Sequence, residues 1–256
     1  MNSVVNPTDT ARTLLRCLDL TSLNDGDTPE TIAALCAKAQ TAHGPVAAVC
    51  VWPRFVAQAR AALPAEIRVA AVANFPDGAL DVARAVADIE SIAQAGAQEI
   101  DVVLPYKALL AGQTQEVAEF LAEVRHASRP LTLKVIIESG ELKEEAHIRR
   151  ATQLALSAGA DFIKTSTGKT PVSATLEAAR AMLDEIAHSG LSAAGFKASG
   201  GIRTVVQGQD YVTATAEKLG EAALNPQRLR FGASGLLDDI LAVLDGKANT
   251  AAQGAY

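Results

Sequence analysis

Aromatic residues are scarce in this 256-residue chain: six phenylalanines, three tyrosines and one tryptophan, 4% of the total. Hydrophobic residues still reach 49%, much of it alanine, which fits helices packed closely on a sheet. Cysteine is scarcer. Cys17, Cys36 and Cys50 are odd in number and form no CxxC pair, which argues against a disulfide framework and for a reducing, cytoplasmic location. His43, His126, His147 and His188 do not cluster with a cysteine or an acid at ligand spacing, so no metal site is expected. Positive charge is in deficit. The net charge of −6 argues against nucleic acid or an anionic membrane as the main partner, though a local basic pocket can still hold a phosphate. No apolar run approaches the ~20 residues of a membrane span. The first six residues lack the charged-then-apolar profile of a signal peptide. These absences describe a soluble intracellular globule with no cofactor and no membrane contact.

What the chain does contain is a repeat. Short apolar runs over 17–21, 46–51, 68–74, 99–104, 132–138, 161–165, 194–198 and 230–232 alternate with amphipathic segments over 29–42, 53–63, 79–95, 108–127, 143–158, 175–188, 204–219 and 235–244. Thr28-Pro29 supplies a capping hydroxyl before a proline at the first helical position, and Gly96 and Gly159 each sit just past a helix end. Eight βα units at a spacing of about thirty residues are what a closed (β/α)8 TIM barrel needs at its typical ~250 residues. The rival, a doubly wound open sheet, calls for a glycine-rich turn after the first strand, and Thr21-Ser22-Leu23-Asn24 is not one. One barrel domain over 1–256 is therefore expected, with an extra helix over 9–16 capping one end and a short flexible polar tail over 245–256.

The chemistry concentrates in DFIKTSTGK, residues 161–169, and GFKASGGIR, residues 195–203. Each delivers a lysine from an apolar strand. Burial disfavours the charged form of lysine, lowers its pKa and frees the amine as a nucleophile. Lys164 is the expected imine-forming amine, and Lys197 as a neighbouring ammonium would depress its pKa further. The other strands add Asp19, Thr21, Cys50, Asn74, Asp101, Lys134 and Glu138. Alternation puts Asp101 opposite in sense to Ile100 and Val102; if those two face the helices, Asp101 faces the barrel interior, where it would relay protons through a water. Lys134 and Glu138 share a face by the same rule. Gly168-Lys169, Gly200-Gly201 with Arg203, and Gly232 with Ser234 follow the last three strands, the usual place for a barrel's phosphate site. Three readings remain open at this point: a lysine-dependent lyase, a phosphosugar isomerase or epimerase using Asp101 and Glu138, and a non-catalytic sugar-phosphate sensor.

The motifs VVLPYKALLAG, LKVIIESGEL, ADFIKTSTGK, GFKASGGIRT and RFGAS, with CLDLTSLND and AAVCVWPRF before them, also carry a resemblance. In order and spacing, from Cys17 to Leu244, the chain resembles the deoxyribose-phosphate aldolases. The resemblance implies a class I aldolase on a (β/α)8 barrel that cleaves 2-deoxy-D-ribose 5-phosphate reversibly to D-glyceraldehyde 3-phosphate and acetaldehyde, in deoxyribose breakdown. It also implies Lys164 as the Schiff-base residue, Lys197 as the second lysine, Asp101 as the proton relay, and the three glycine turns as the phosphate site. A homodimer is the assembly carried with it. The chain departs from the family at Gly235, where close bacterial relatives have a second serine after GAS. Cys50 ends a strand; a small buried hydrophobe is its ordinary role, and a thiol at the mouth would meet enals formed from acetaldehyde. Tyr256 ends the tail; a frayed end is the ordinary reading, and a tail dipping into the mouth would bring a phenol near the acetaldehyde carbon.

Overall fold

Asn6 opens the first helix, α1 (Pro7–Arg16), by accepting the Thr8 N–H on its side chain at 3.0 Å. Pro7 takes a position that needs no hydrogen bond, and Asp9 and Arg16 match the helix dipole at its two ends. A computed structural model describes residues 6–247. The expected readings of Tyr256 and of most of the polar tail fall outside the described residues.

Eight parallel strands close into a barrel in sequence order: β1 (Leu18–Thr21), β2 (Ala48–Val51), β3 (Arg68–Ala73), β4 (Glu99–Val103), β5 (Thr132–Ile136), β6 (Phe162–Lys164), β7 (Gly195–Ser199) and β8 (Leu229–Ala233). All eight expected strands are present. Around them lie α2 (Pro29–Lys38), α3 (Val56–Ala62), α4 (Val82–Gln94), α5 (Tyr106–Leu110), α6 (Thr114–Ala127), α7 (Ser139–Leu142), α8 (Glu145–Ser157), α9 (Leu176–His188), α10 (Val205–Leu219) and α11 (Leu236–Leu244). Buried apolar side chains such as Ile89 and Ile92 of α4 and Val117, Phe120, Leu121 and Val124 of α6 face the sheet at helical spacing. Helix α1 packs on α10 and α11, and its last turn borders the N-terminal end of the barrel. Among the described residues no helix is long and apolar enough to cross a membrane.

Several boundaries move for identifiable reasons. The segment expected as one helix over 108–127 is two, α5 and α6, because Gly112 turns the chain at φ +83°. The helix expected over 29–42 stops at Lys38, and Gln40–Thr41 then pairs with Gly44–Pro45 in a small antiparallel ladder. The strand expected over 132–138 ends at Ile136. Glu138 takes a left-handed conformation (φ 54°, ψ 59°), which breaks alternation, so it does not share the face of Lys134.

Candidate active site

Register between strands sets the geometry. Asp101 of β4 lies beside Lys134 of β5, Lys164 of β6 beside Lys197 of β7, and Lys197 beside Arg230 of β8. All of these side chains are buried. Asp101 is the hub: its Oδ2 accepts from Lys164 Nζ at 2.7 Å and Lys197 Nζ at 2.8 Å, and its Oδ1 from Lys134 Nζ at 3.0 Å. Asp19 accepts from Lys197 at 2.5 Å and from Arg230 at 2.6 Å. Glu99 lies 2.6 Å from Lys134 and receives both terminal nitrogens of Arg230, at 3.0 and 2.7 Å.

This cluster holds three acids, Asp19, Glu99 and Asp101, against four bases, Lys134, Lys164, Lys197 and Arg230. Fully ionised it would carry one uncompensated positive charge out of water, which is expensive. Arginine does not give up its proton. Lys197 pairs with two carboxylates and Lys134 with three; Lys164 pairs only with Asp101. The base that can shed the surplus charge is Lys164. Its pKa is lowered from the usual lysine value, first by burial and then by the neighbouring Lys197 charge, against the pull of Asp101. Lys197 is held far above the usual value, because Asp101 and Asp19 outweigh its burial. Asp101 is held well below the carboxylate range: burial raises it, and the three lysines more than offset that.

Above the cluster lies a cavity of about 500 Å³ at the C-terminal ends of the strands. Thr21, Gly168, Lys169, Gly200, Gly201, Arg203, Gly232, Ser234 and Gly235 all line it. Its floor includes Ser199 and Gly232. A Cβ on Gly232 would lie 2.6 Å from Ser199 Oγ and 3.1 Å from Lys197 Cε, so only glycine leaves Lys197 its place there. Gly200 and Gly201 take φ +84° and +82° in succession, which suits glycine alone. Helix α11 starts at Gly235 with no side-chain cap, leaving its first N–H groups for an anion. Lys169 Nζ donates to Leu23 O at 2.7 Å across the mouth. A cavity of about 550 Å³ lies at the opposite end, lined by Arg12, Arg16, Arg68 and Glu66 among others; apart from the inner face of Arg230, it does not reach the cluster.

The sequence model of the DeoC/LacD family aldolases matches residues 13–239. The chain belongs to this family. A curated deoxyribose-phosphate aldolase from Agrobacterium fabrum (strain C58) is 50% identical over 253 residues, 98% of this chain and 97% of the relative. Among solved structures, a candidate deoxyribose-phosphate aldolase from Toxoplasma gondii ME49 aligns with a TM-score of 0.85 at 25% identity, over 94% of this chain and 96% of that one. The deoxyribose phosphate aldolase of Aeropyrum pernix, described as a tetramer, shares the fold at a TM-score of 0.72 and 20% identity, over 94% and 98% of the two chains.

As a member of the DeoC/LacD aldolases the chain brings Lys164, Lys197, Asp101 and Lys134 together below the cavity and the three glycine turns around it. Thr21 is at the rim, its hydroxyl donating back to Asp19 O at 2.8 Å. Cys50 is fully buried beside the cluster, and burial pushes its thiol up to about 11, which keeps it protonated and a poor nucleophile. Residue-by-residue reading overlooked Glu99 and Arg230. Glu99 was findable: it sits two residues before Asp101, on the same strand face. Arg230 begins the motif RFGAS and gave no such sign, since its partners come from β1 and β4.

Proposed function

We propose that this chain is a cytoplasmic class I aldolase that cleaves 2-deoxy-D-ribose 5-phosphate reversibly to D-glyceraldehyde 3-phosphate and acetaldehyde through an imine on Lys164. The observation that carries the reading is the surplus base in a buried cluster, in which Lys164 pairs with one carboxylate alone and has its pKa lowered by burial and by the Lys197 charge. Neutral Lys164 adds to the C1 carbonyl of the open-chain sugar, and loss of water gives an iminium. Removal of the proton on the C3 hydroxyl then breaks the C2–C3 bond, the electron pair passing into the iminium to give an enamine. The triose phosphate leaves; protonation of the enamine at C2 and hydrolysis return acetaldehyde and the amine. Asp101 and Lys197, 2.8 Å apart and with Asp101 2.7 Å from the Lys164 nitrogen, are the groups in reach to exchange these protons. The cavity turns and the start of α11 would hold the 5-phosphate.

An isomerase reading would need Asp101 and Glu138 as an acid–base pair. Glu138 lies outside the cluster that holds Asp101 and is committed to Thr167 and Thr170. Borohydride reduction in the presence of deoxyribose 5-phosphate tests the aldolase reading: a stable adduct on Lys164 is expected, and none would end it. We also carry forward a homodimer, tested by light scattering at micromolar protein.

Two further outcomes follow from this site. Because the Lys197 charge lowers the Lys164 pKa, Lys197→Met should move the acid limb of the kcat/KM profile to higher pH. Protonation of Lys164 removes the nucleophile, so activity falls as pH drops through that pKa; an acid limb that stays put in the variant would sink the assignment. Gly235 has φ −102°, and a Cβ there meets nothing within 4 Å, so a serine fits without strain. A hydroxyl donor to phosphate is worth on the order of 1 kcal/mol, so Gly235→Ser should lower KM for deoxyribose 5-phosphate by about fivefold. Unchanged KM refutes it.

A further inference from the structure

Glu138 stands outside the lysine cluster and yet is fully buried. Among the described residues its carboxylate pairs with no cation. It accepts instead from the turn that follows β6: the Thr167 hydroxyl at 2.5 Å, the Thr167 N–H at 3.2 Å, and the Thr170 hydroxyl at 3.3 Å, which also lies 3.1 Å from Val172 O. The Thr167 oxygen in turn accepts the Lys169 N–H at 3.0 Å. Hydrogen bonds therefore run in one direction, from Lys169 N–H through the Thr167 hydroxyl to Glu138. They claim the N–H groups on either side of Gly168, which takes φ +78°. Thr167, Gly168 and Lys169 all line the cavity.

Two features argue that this arrangement is specified and not incidental. Glu138 holds a left-handed backbone conformation that is unfavourable for any residue but glycine, asparagine or aspartate. Its neighbours are already pinned to the adjacent strand end, Ile137 N–H to Lys164 O at 3.0 Å and Ser139 N–H to Thr165 O at 2.9 Å, so the unfavourable turn has a rigid frame. Burial also raises the carboxyl pKa while the Thr167 and Thr170 donors oppose that, so the carboxylate depends on the turn as the turn depends on it.

We propose that Glu138 is a positioning residue that holds the 167–170 turn in its anion-binding shape and thereby sets the preference for phosphorylated over unphosphorylated substrate. The proposal rests on the aldolase reading for the identity of the substrate, but not for the anion site itself. Glu138 acts through Thr167 and Lys169 and touches no reacting atom. An amide in place of the carboxylate keeps one acceptor oxygen of the two and no charge, so the Thr167 N–H, the Thr167 hydroxyl and the Thr170 hydroxyl can no longer all donate to it, and the hold on the turn weakens.

The test is Glu138→Gln, with three readouts. Inorganic phosphate binding by calorimetry should weaken about tenfold, the loss expected when a buried charge-assisted network is cut. KM for deoxyribose 5-phosphate should rise by a similar factor while that for 2-deoxy-D-ribose changes far less, so the preference ratio falls about tenfold. Borohydride should still trap Lys164 with the unphosphorylated sugar. Equal losses on both sugars, or unaltered phosphate affinity, overturn the proposal. If wild-type protein binds phosphate but traps no sugar, the aldolase reading fails while the calorimetry still decides the role of Glu138. Should Glu138→Gln not fold, Thr170→Val removes one donor alone; a two- to threefold weaker phosphate affinity supports the proposal, and no change overturns it.

Discussion

Lys164→Met and Lys164→Arg should both be inactive, by ~10⁴-fold or more, and should leave no borohydride adduct anywhere in the site. Rescue by Lys197 or Lys134 is not expected. Lys197 is held above the usual lysine pKa by two carboxylates and Lys134 by three, so neither has a free amine near neutral pH. The two variants should part company in stability. Methionine removes the surplus base and leaves three acids facing three bases, at the loss of one hydrogen bond to Asp101. Arginine makes the surplus permanent. An uncompensated buried charge costs about 3–5 kcal/mol, so urea unfolding should place Lys164→Arg about 3 kcal/mol or more below Lys164→Met. Equal stabilities would mean that Lys164 is charged in the wild-type protein, and the imine mechanism would lose its nucleophile.

Asp101→Asn should be the next most damaging change. Asp101 is the one acid that touches all three lysines. Without it two acids face four bases, and breaking a buried ion pair from one side costs about 3–5 kcal/mol. Loss of a proton-transferring group should lower kcat by about 10²–10⁴-fold. The acid limb separates this from simple collapse of the site. Asp101 raises the Lys164 pKa, so its removal should shift that limb to lower pH, opposite to the shift expected for Lys197→Met. A shift in the same direction for both variants would show that Asp101 does not govern the Lys164 charge.

The opposed directions come from contacts that no local pattern contains. Period-two alternation was enough to separate Asp101 from Ile100 and Val102 and to put Lys164 on the face of Phe162, because a strand's successive side chains take opposite faces; which face is inward took the closed barrel. The thirty-residue βα repeat was likewise enough for a closed barrel, and glycines after the last three strands were enough to point to the cavity at their ends. Glu138 shows the limit of that reasoning. A positive φ reversed its alternation, took it from Lys134, and gave it to the turn at Thr167–Thr170.

What the sequence by itself determined is therefore the eight βα units, which residues of a strand share a face, and the presence of lysines on three of the strands. Those follow from steric alternation and burial, which act over a few residues. Only the tertiary structure decided how many charges meet and which of them has a single partner. Inter-strand register put Lys164 beside Lys197, Lys197 beside Arg230 and Asp101 beside Lys134, and closure of the barrel carried Arg230 across to Glu99. Register is a property of pairs of strands distant in sequence. The lowered pKa of Lys164 is a property of all seven buried groups together, because in a low-dielectric interior each one's protonation depends on the sum of the others.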